Sequence, residues 1–243
     1  MNRQKNIEGL KKLTGVAMFA ALAYVCTLIL RIPGIGGFLT MDLKDFVIAI
    51  AGMFFGPAAA VMISILVPLL ELPLPASEGA YGFIMNVISS LTFSLTASLV
   101  YKYKKTFTGA IISLVSAVFA VTAVMMVANL IITPYYMGMS MQAVAGYIPT
   151  LLLPFNLMKA LFNASLTLIF YKPLTMVLRS TGFFGKKKTA EMIAKTQSER
   201  KKENIRTVIL AAIALVIAIV SLLVIILVWK GEVSFFDVFK SVE

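Results

Sequence analysis

Long apolar runs, separated by polar segments or by glycine and proline, constrain this chain more than any other feature of its sequence. A helix needs about 20 apolar residues to cross a bilayer, and shorter runs suffice where neighbouring helices cover them. Of the 243 residues, 60% are hydrophobic and 14% are charged, whereas a soluble domain typically has roughly 45–50% and roughly 25%. We therefore expect an all-α membrane protein.

Seven apolar spans are predicted. The run 46–72 is divided at Gly56-Pro57, because proline lacks a backbone donor and restricts the residue before it. This break predicts two short helices in place of one long helix, and the glycines at 34, 36 and 37 predict a flexible loop before them. The seven spans are 13–30, the two parts of 46–72, 81–101, 107–132, 148–178 and 207–229.

Positive charge alternates along the predicted loops. Basic residues dominate the N-terminal segment, the loop 102–105 and the segment after the sixth span, whereas the loop between the third and fourth spans carries only Glu71 and Glu78. Cytoplasmic loops are enriched in Lys and Arg, so we expect the N-terminus in the cytoplasm and, after seven spans, the C-terminus outside. The net charge of +11 is then a topological signal of a cell-membrane protein, and no nucleic-acid partner is expected.

Residue usage excludes several kinds of chemistry. The chain has no histidine and one cysteine, Cys26, which excludes Ser-His or Cys-His relays, histidine-ligated metals and an internal disulfide. The GxxxxGK[ST] phosphate loop is also missing, so we do not expect the chain to hydrolyse ATP. We expect no catalytic residues and no metal site.

Three polar residues lie inside the sixth span. Asn156, Lys159 and Asn163 are spaced three and four apart and therefore share one helical face. A lysine within a span costs about 2.5–3.5 kcal/mol on insertion scales, so its presence needs a reason. Either this face lines a cavity, or Lys159, two turns after Pro154, reaches out to the membrane surface. The sequence favours neither explanation.

Other polar residues are predicted at the same, outer end of the bundle. Asn129 ends the fifth span and Asn86 lies in the fourth, although an amide such as Asn129 can simply bond a neighbouring helix. Asp42 and Asp45 precede the second span, where ordinary N-capping is the simpler explanation. Because four segments place amides or charges at this end, we predict a ligand pocket that opens outward.

The first span carries a small-residue pattern. Ala17 and Ala21 are four residues apart and would let another helix approach closely.

Three segments of the chain resemble the riboflavin-binding S components of energy-coupling factor (ECF) transporters. They are LTMDLKD at 39–45, followed by FFGPAA at 54–59; NLIITPYY at 129–136; and LPFNLMK at 153–159, the most specific of the three. Their order and spacing match the family pattern through residues 1–178.

The resemblance implies a six-helix S-component bundle, here with an additional C-terminal transmembrane helix. Such a subunit captures riboflavin as cargo, needs no cofactor, and works with a transmembrane coupling subunit and two ATPase subunits. Ala17 and Ala21 look like the motif by which such subunits dock on the coupling subunit. By resemblance, the residues implied in substrate binding are Leu39, which would cover the ligand, and Asn129, Asn156, Lys159 and Asn163, with Asn86 and Glu78 as weaker candidates.

Three alternatives stay open: an S component for another vitamin, an intramembrane enzyme using Lys159 or Asp45, and a membrane assembly protein without a ligand.

The C-terminal part departs from the family pattern. We divide the chain into the riboflavin-binding core 1–180, a basic cytoplasmic linker 181–206, and the extra helix with a short tail at 207–243. The linker is interpreted as a solvated tether, with an amphipathic surface helix as the alternative. The last span is uniformly apolar and has no GxxxG motif, which favours a loosely associated, lipid-facing helix over one packed on the bundle or a partner-contact element.

Overall fold

The computed structural model describes residues 2–35, 38–74, 79–180 and 186–231, and they are mainly helical. The elements are α1 (Asn2–Ile29), β1 (Arg31–Ile35), β2 (Leu39–Asp42), α2 (Lys44–Phe55), α3 (Pro57–Glu71), α4 (Gly79–Tyr103), α5 (Phe107–Met137), α6 (Met141–Tyr147), a π-helical segment (Ile148–Leu152), α7 (Leu153–Ser180) and α8 (Lys186–Trp229). The expected all-α membrane architecture is confirmed.

Five helical stretches are long and apolar enough to cross a membrane, and α3 is a shorter apolar helix. They are Gly9–Ile29, Gly79–Tyr103, Phe107–Met137, Met141–Val177 and Val208–Trp229. The predicted break after α2 is confirmed: Gly56 has φ 98°, a conformation that favours glycine, and Pro57 begins α3.

Two short strands flank the predicted flexible loop, of which Gly36 and Gly37 lie outside the described residues. β1 and β2 pair antiparallel, with Arg31 opposite Asp42 and Ile35 opposite Leu39, and the register shifts between Ile32 and Ile35. Ile35, Leu39 and Met41 are buried, so this hairpin turns apolar side chains onto the bundle. The glycines in the local sequence predicted a loop. The strands beside them were not predicted, because they are stabilised by burial against the helices.

Helix α2 lies at the centre of the bundle. Every residue in it except Phe54 is buried, and its side chains join two apolar clusters, one shared with α1 and α3 and one shared with α4, α5 and α7. After Lys44 and Asp45 at its start, this short helix is apolar on all faces. Such a helix is suited to a central position, because no face needs to meet water.

Helix α8 joins the basic linker to the seventh span. Residues 186–206 are helical and continuous with that span; their interpretation as a solvated tether or as a surface helix stays a prediction. The seventh span also packs on the bundle: Ala214, Ala218, Ser221 and Ile225 are buried, and α8 contacts α7 and β1. The expectation of a loosely associated helix is therefore wrong for this face, because small residues at this spacing allow close packing without GxxxG. The opposite face is exposed, as expected for a lipid-facing helix: Val216 and Leu223 are examples.

Candidate functional site

A cavity of about 60 Å³ lies between the hairpin and the helices α4, α5 and α7. Its wall combines apolar and aromatic side chains with three amides, hydroxyl groups and one ammonium group, as ligand sites commonly do. The lining residues include Phe38, Leu39, Thr40, Tyr81, Asn86, Asn129, Tyr136, Phe155, Asn156 and Lys159. The structure thus brings together five of the seven substrate-binding candidates named from the sequence; Asn163 does not line this cavity, and Glu78 lies outside the described residues.

Lys159 is held by the hairpin. Its Nζ donates to Oδ2 of Asp42 at 3.0 Å and to the backbone oxygen of Thr40 at 3.1 Å, and the residue is only 7% exposed. Reaching out to the membrane surface is therefore the wrong explanation of this lysine. It lines the cavity while linking α7 to β2, and the paired carboxylate offsets the cost of burying its charge.

Asp42 is an ion-pair centre and does not cap a helix. The N-cap of α2 is Leu43, whose own side chain makes no capping hydrogen bond, while Oδ2 of Asp42 accepts from Lys159 and from Lys44 at 3.0 Å each. Asp42 lies in the hairpin, outside the spanning helices. Burial acts to raise the pKa of its carboxyl, but the nearby charges of Lys159 and Lys44 outweigh burial and hold that pKa well below its usual range.

Asp45 does not act as the N-cap of α2 either. It is the second residue of α2, and its Oδ1 accepts a hydrogen bond from the hydroxyl of Ser90 on α4. The carboxylate therefore ties the start of α2 to a neighbouring helix.

A second ion pair extends the network to α3 and α4. Nζ of Lys44 donates to Oε2 of Glu71 at 3.0 Å and to Oδ1 of Asn86 at 3.3 Å. Arg31 approaches the same Oε2 at 3.8 Å, and Thr27 donates to Oε1 of Glu71 at 3.2 Å. Asn86 therefore joins the cavity wall to the ion network.

Asn163 has a different position from the other predicted amides. Its Oδ1 accepts from the backbone N–H of Phe46 at 3.0 Å, and its Nδ2 donates to the backbone oxygen of Lys159 at 3.0 Å. The side chain thus caps the N-terminus of α2 from α7, a contact between residues far apart in sequence. It borders a smaller cavity of about 10 Å³, next to Asp45 and Lys159.

The remaining amides are oriented by their own helices. Nδ2 of Asn129 donates to the backbone oxygen of Met125, and its Oδ1 accepts from Thr133 at 3.0 Å. Nδ2 of Asn156 donates to the backbone oxygen of Leu152 at 2.8 Å. These bonds, one set within α5 and one between α7 and the π-helical segment before it, fix both side chains at the cavity wall. Asn129 bonds within its own helix, so the interhelical alternative is wrong for it.

Aromatic residues of the wall were not identified from the sequence. The rings of Tyr81 and Tyr136 lie 6.0 Å apart at an angle of 53°, and Phe38 and Phe155 lie on the same cavity. Tyr136 could have been identified, because it belongs to the segment 129–136 that resembles the riboflavin-binding family. Together, aromatic faces, amides and one cation can bind a planar heterocycle with a hydrogen-bonding edge.

The predicted docking residues lie on the outside of α1. Ala17 and Ala21 are exposed, whereas Ala20 and Ala23 of the same helix are buried. Their role in docking stays a prediction. Glu78, a weaker substrate-binding candidate, lies outside the described residues.

Comparisons with known proteins agree on one family. The family model for "ECF transporter, substrate-specific component" matches residues 11–174. The riboflavin transporter RibU of Staphylococcus aureus (strain TCH60) is 27% identical over 184 residues, which are 73% of this chain and 97% of that protein. The riboflavin transporter FmnP of Bacillus subtilis (strain 168) is 27% identical over 173 residues, 67% of this chain and 91% of that protein.

A solved structure, described as the S component of a bacterial ECF transporter, has a TM-score of 0.59 and 26% sequence identity, and the match covers 70% of this chain and 98% of that one. The family model covers more than half of the chain and ends within α7. The chain is a multi-pass membrane protein that belongs to the family of ECF transporter substrate-specific components.

Proposed function

We propose that this chain captures riboflavin at the outer side of the cell membrane and delivers it with an ATP-driven ECF module. The observation that carries the proposal is the cavity in which amides, aromatic rings and the Lys159 ammonium meet under the hairpin. The relatives RibU and FmnP, both riboflavin transporters, support the choice of ligand. Riboflavin is then cargo and not a cofactor, and the chain is not an enzyme.

The chemistry of riboflavin fits this wall. Its three-ring system is planar and aromatic, and one edge carries carbonyl oxygens beside an imide N–H. Lys159 supplies a charged donor to such oxygens, and Asn129 and Asn156 supply amide groups of both kinds. Leu39 would cover the rings and Asn86 would contact the polar edge. Asn163 would contact the ligand only through the smaller, deeper cavity that it borders.

Riboflavin entry requires the wall to move. A cavity of about 60 Å³ has room for a few water molecules, but not for a three-ring heterocycle. Two parts of the wall lie outside the central packing of α2: the hairpin, and the pair Tyr81 and Tyr136. We assign to them the movement that opens the cavity to riboflavin.

The proposal includes an arrangement of the whole chain. The core is 1–180, the basic segment 181–206 lies at the cytoplasmic side, and the extra helix and tail are 207–243. The N-terminus is cytoplasmic and the C-terminus lies outside, as the loop charges predict. The partners are the lipid bilayer, a transmembrane coupling subunit and two ATPase subunits.

Titration of the purified protein with riboflavin, followed by flavin fluorescence quenching, tests the ligand. We expect wild type to quench at micromolar protein, and Lys159→Ala to bind roughly ten- to a hundredfold more weakly, because a charged hydrogen bond contributes about 1.5–3 kcal/mol. The matched control is Lys102→Ala, which removes an exposed lysine at the other end of α4 and should bind like wild type.

Each alternative has its own outcome. No quenching by riboflavin, together with quenching of the protein's own fluorescence by thiamine or biotin, would indicate another vitamin and contradict the proposal. Conversion of riboflavin without any ATPase would indicate an enzyme. A Lys159→Ala variant that loses stability but has unchanged affinity would indicate an assembly role for this cluster.

A further inference from the structure

Helix α8 lies outside the family-matched segment, yet its buried face reaches the wall of the cavity. The match ends at residue 174, and α8 begins at Lys186. Ile225 of α8 is completely buried, and Ala218 and Val224 are less than a tenth exposed. The helix therefore has a specific packing partner in this chain.

One apolar cluster contains both this face and part of the cavity wall. Ala218, Val224 and Ile225 belong to the same buried cluster as Phe38, Leu39 and Phe155. These last three residues line the cavity. A displacement of α8 would therefore change the packing behind the residues that border the ligand.

The hairpin is held in place by two separate sets of contacts. Asp42 at the end of β2 is bound by ammonium groups of α2 and α7. β1 is contacted by α8, and Ile35 at its end is fully buried within the shared apolar cluster. The polar contacts are within the family-matched segment, whereas the apolar support from α8 is an addition of this chain.

We propose that α8 positions the hairpin over the cavity, with Ile225 as its central positioning residue. It limits how far Phe38 and Leu39 move away, and so slows both the entry and the release of ligand. The slowing of riboflavin exchange rests on the proposed function; the positioning of the hairpin does not.

Three variants of the full chain test the proposal in lipid nanodiscs. Ile225→Ala removes the buried side chain, and Ile225→Val keeps most of it. Leu223→Ala is the matched control, because Leu223 lies on the exposed side of the same turn and is 52% exposed. The first readout needs no ligand: amide hydrogen exchange in β1 and β2 compared with exchange in α4.

We expect exchange in the hairpin to become roughly five- to tenfold faster in Ile225→Ala, with α4 unchanged, because local opening becomes less costly. In stopped-flow riboflavin quenching, association and dissociation rates should both rise by a similar factor, leaving the dissociation constant within roughly threefold of wild type. Ile225→Val should give a smaller change, since loss of one methylene costs less than loss of the whole side chain.

The proposal is overturned if hairpin amides exchange at the same rate in Ile225→Ala as in Leu223→Ala. It is also overturned if exchange rises as much in α4 as in the hairpin, because that result means general destabilisation. A wild type that does not bind riboflavin overturns the proposed function, and the exchange measurement alone then decides the role of α8.

Discussion

Compensation of charge is the main requirement on single residues at the hairpin end of this bundle. Three acidic side chains, Asp42, Asp45 and Glu71, are buried close to three basic ones. These are Lys44 and Lys159, which are buried, and Arg31, whose side chain is 11% exposed. Ion pairs of Asp42 and Glu71 with these three basic residues offset the high cost of desolvating the charges. Removing one partner should therefore cost more than breaking an ion pair at a surface.

Asp42→Ala should strongly destabilise the protein. The carboxylate faces two ammonium groups at 3.0 Å, and its removal leaves Lys159 buried without its acidic partner. We expect the free energy of unfolding to fall by about 3–5 kcal/mol, measured by chemical denaturation in detergent micelles. Asp42→Asn, which keeps the shape and loses the charge, should give a smaller loss.

A double variant separates the ion pair from general packing. If the loss comes from an uncompensated ammonium group, then Asp42→Asn combined with Lys159→Met should be more stable than the sum of the two single changes predicts, by about 1–3 kcal/mol. Simple additivity would contradict the assignment of Asp42 as the partner of Lys159.

The pH dependence of stability follows from the lowered pKa of Asp42. Because the pKa of Asp42 is lower in the folded protein than in the unfolded chain, its ionised carboxylate stabilises the fold. This stabilisation is complete above the unfolded-state pKa of about 3.9 and is lost as the pH falls through the folded-state pKa. The contribution of Asp42 to the melting temperature should therefore be constant from neutral pH to about pH 5. Comparison of wild type with Asp42→Asn across this range checks it, and a difference that changes between pH 5 and 7 would contradict the ion pair.

At the scale of elements, the crossing of α2 with α3 and α4 depends on one glycine. A Cβ added at Gly52 would lie 2.8 Å from Cβ of Ala60 and 2.9 Å from Cβ of Ser98. Such contacts force the helices apart, although glycine in a helix is otherwise unfavourable. The small residue is thus explained by close packing of helices.

Gly52→Ala should lower the free energy of unfolding by about 1–3 kcal/mol, as overpacked cores do. Gly146→Ala is the matched control: Gly146 lies in α6, and nothing lies within 4 Å of an added Cβ, so this change should stabilise by up to about 1 kcal/mol. Thermal unfolding of both variants in the same detergent checks the opposite signs. Equal effects would mean that helix propensity, and not the crossing, governs position 52.

The elements show which parts of the fold local sequence could predict. The apolar runs and the Gly56-Pro57 break predicted the spanning helices, because length and proline chemistry act locally. The hairpin, the capping of α2 by Asn163 and the packing of α8 depend on residues far apart in sequence, which local patterns do not contain. The pairing of Lys44 with Glu71 also joins residues that are 27 positions apart, so no local pattern indicated it.

For the molecule as a whole, the candidate cavity and the predicted docking residues lie on different surfaces. The cavity lies under the hairpin between α4, α5 and α7, whereas the pattern of Ala17 and Ala21 lies on the exposed side of α1. The sequence could predict most of the cavity's polar residues through segments of specific spacing, but not its aromatic wall, which is assembled from different elements. We therefore predict that ligand binding and partner docking can be changed independently.

Replacing Ala17 and Ala21 together with leucine should abolish transport and leave riboflavin binding intact. Bulky side chains prevent the close helix approach that the small-residue pattern allows, and both positions are exposed, so the bundle itself should tolerate them. The matched control is Ala123→Leu, an exposed alanine on α5. Uptake of radiolabelled riboflavin into proteoliposomes containing the complete ECF module and ATP gives the transport rate, and fluorescence quenching gives the affinity. We expect uptake to fall at least about tenfold at unchanged affinity, with the control like wild type; uptake equal to that of Ala123→Leu would count against docking through α1.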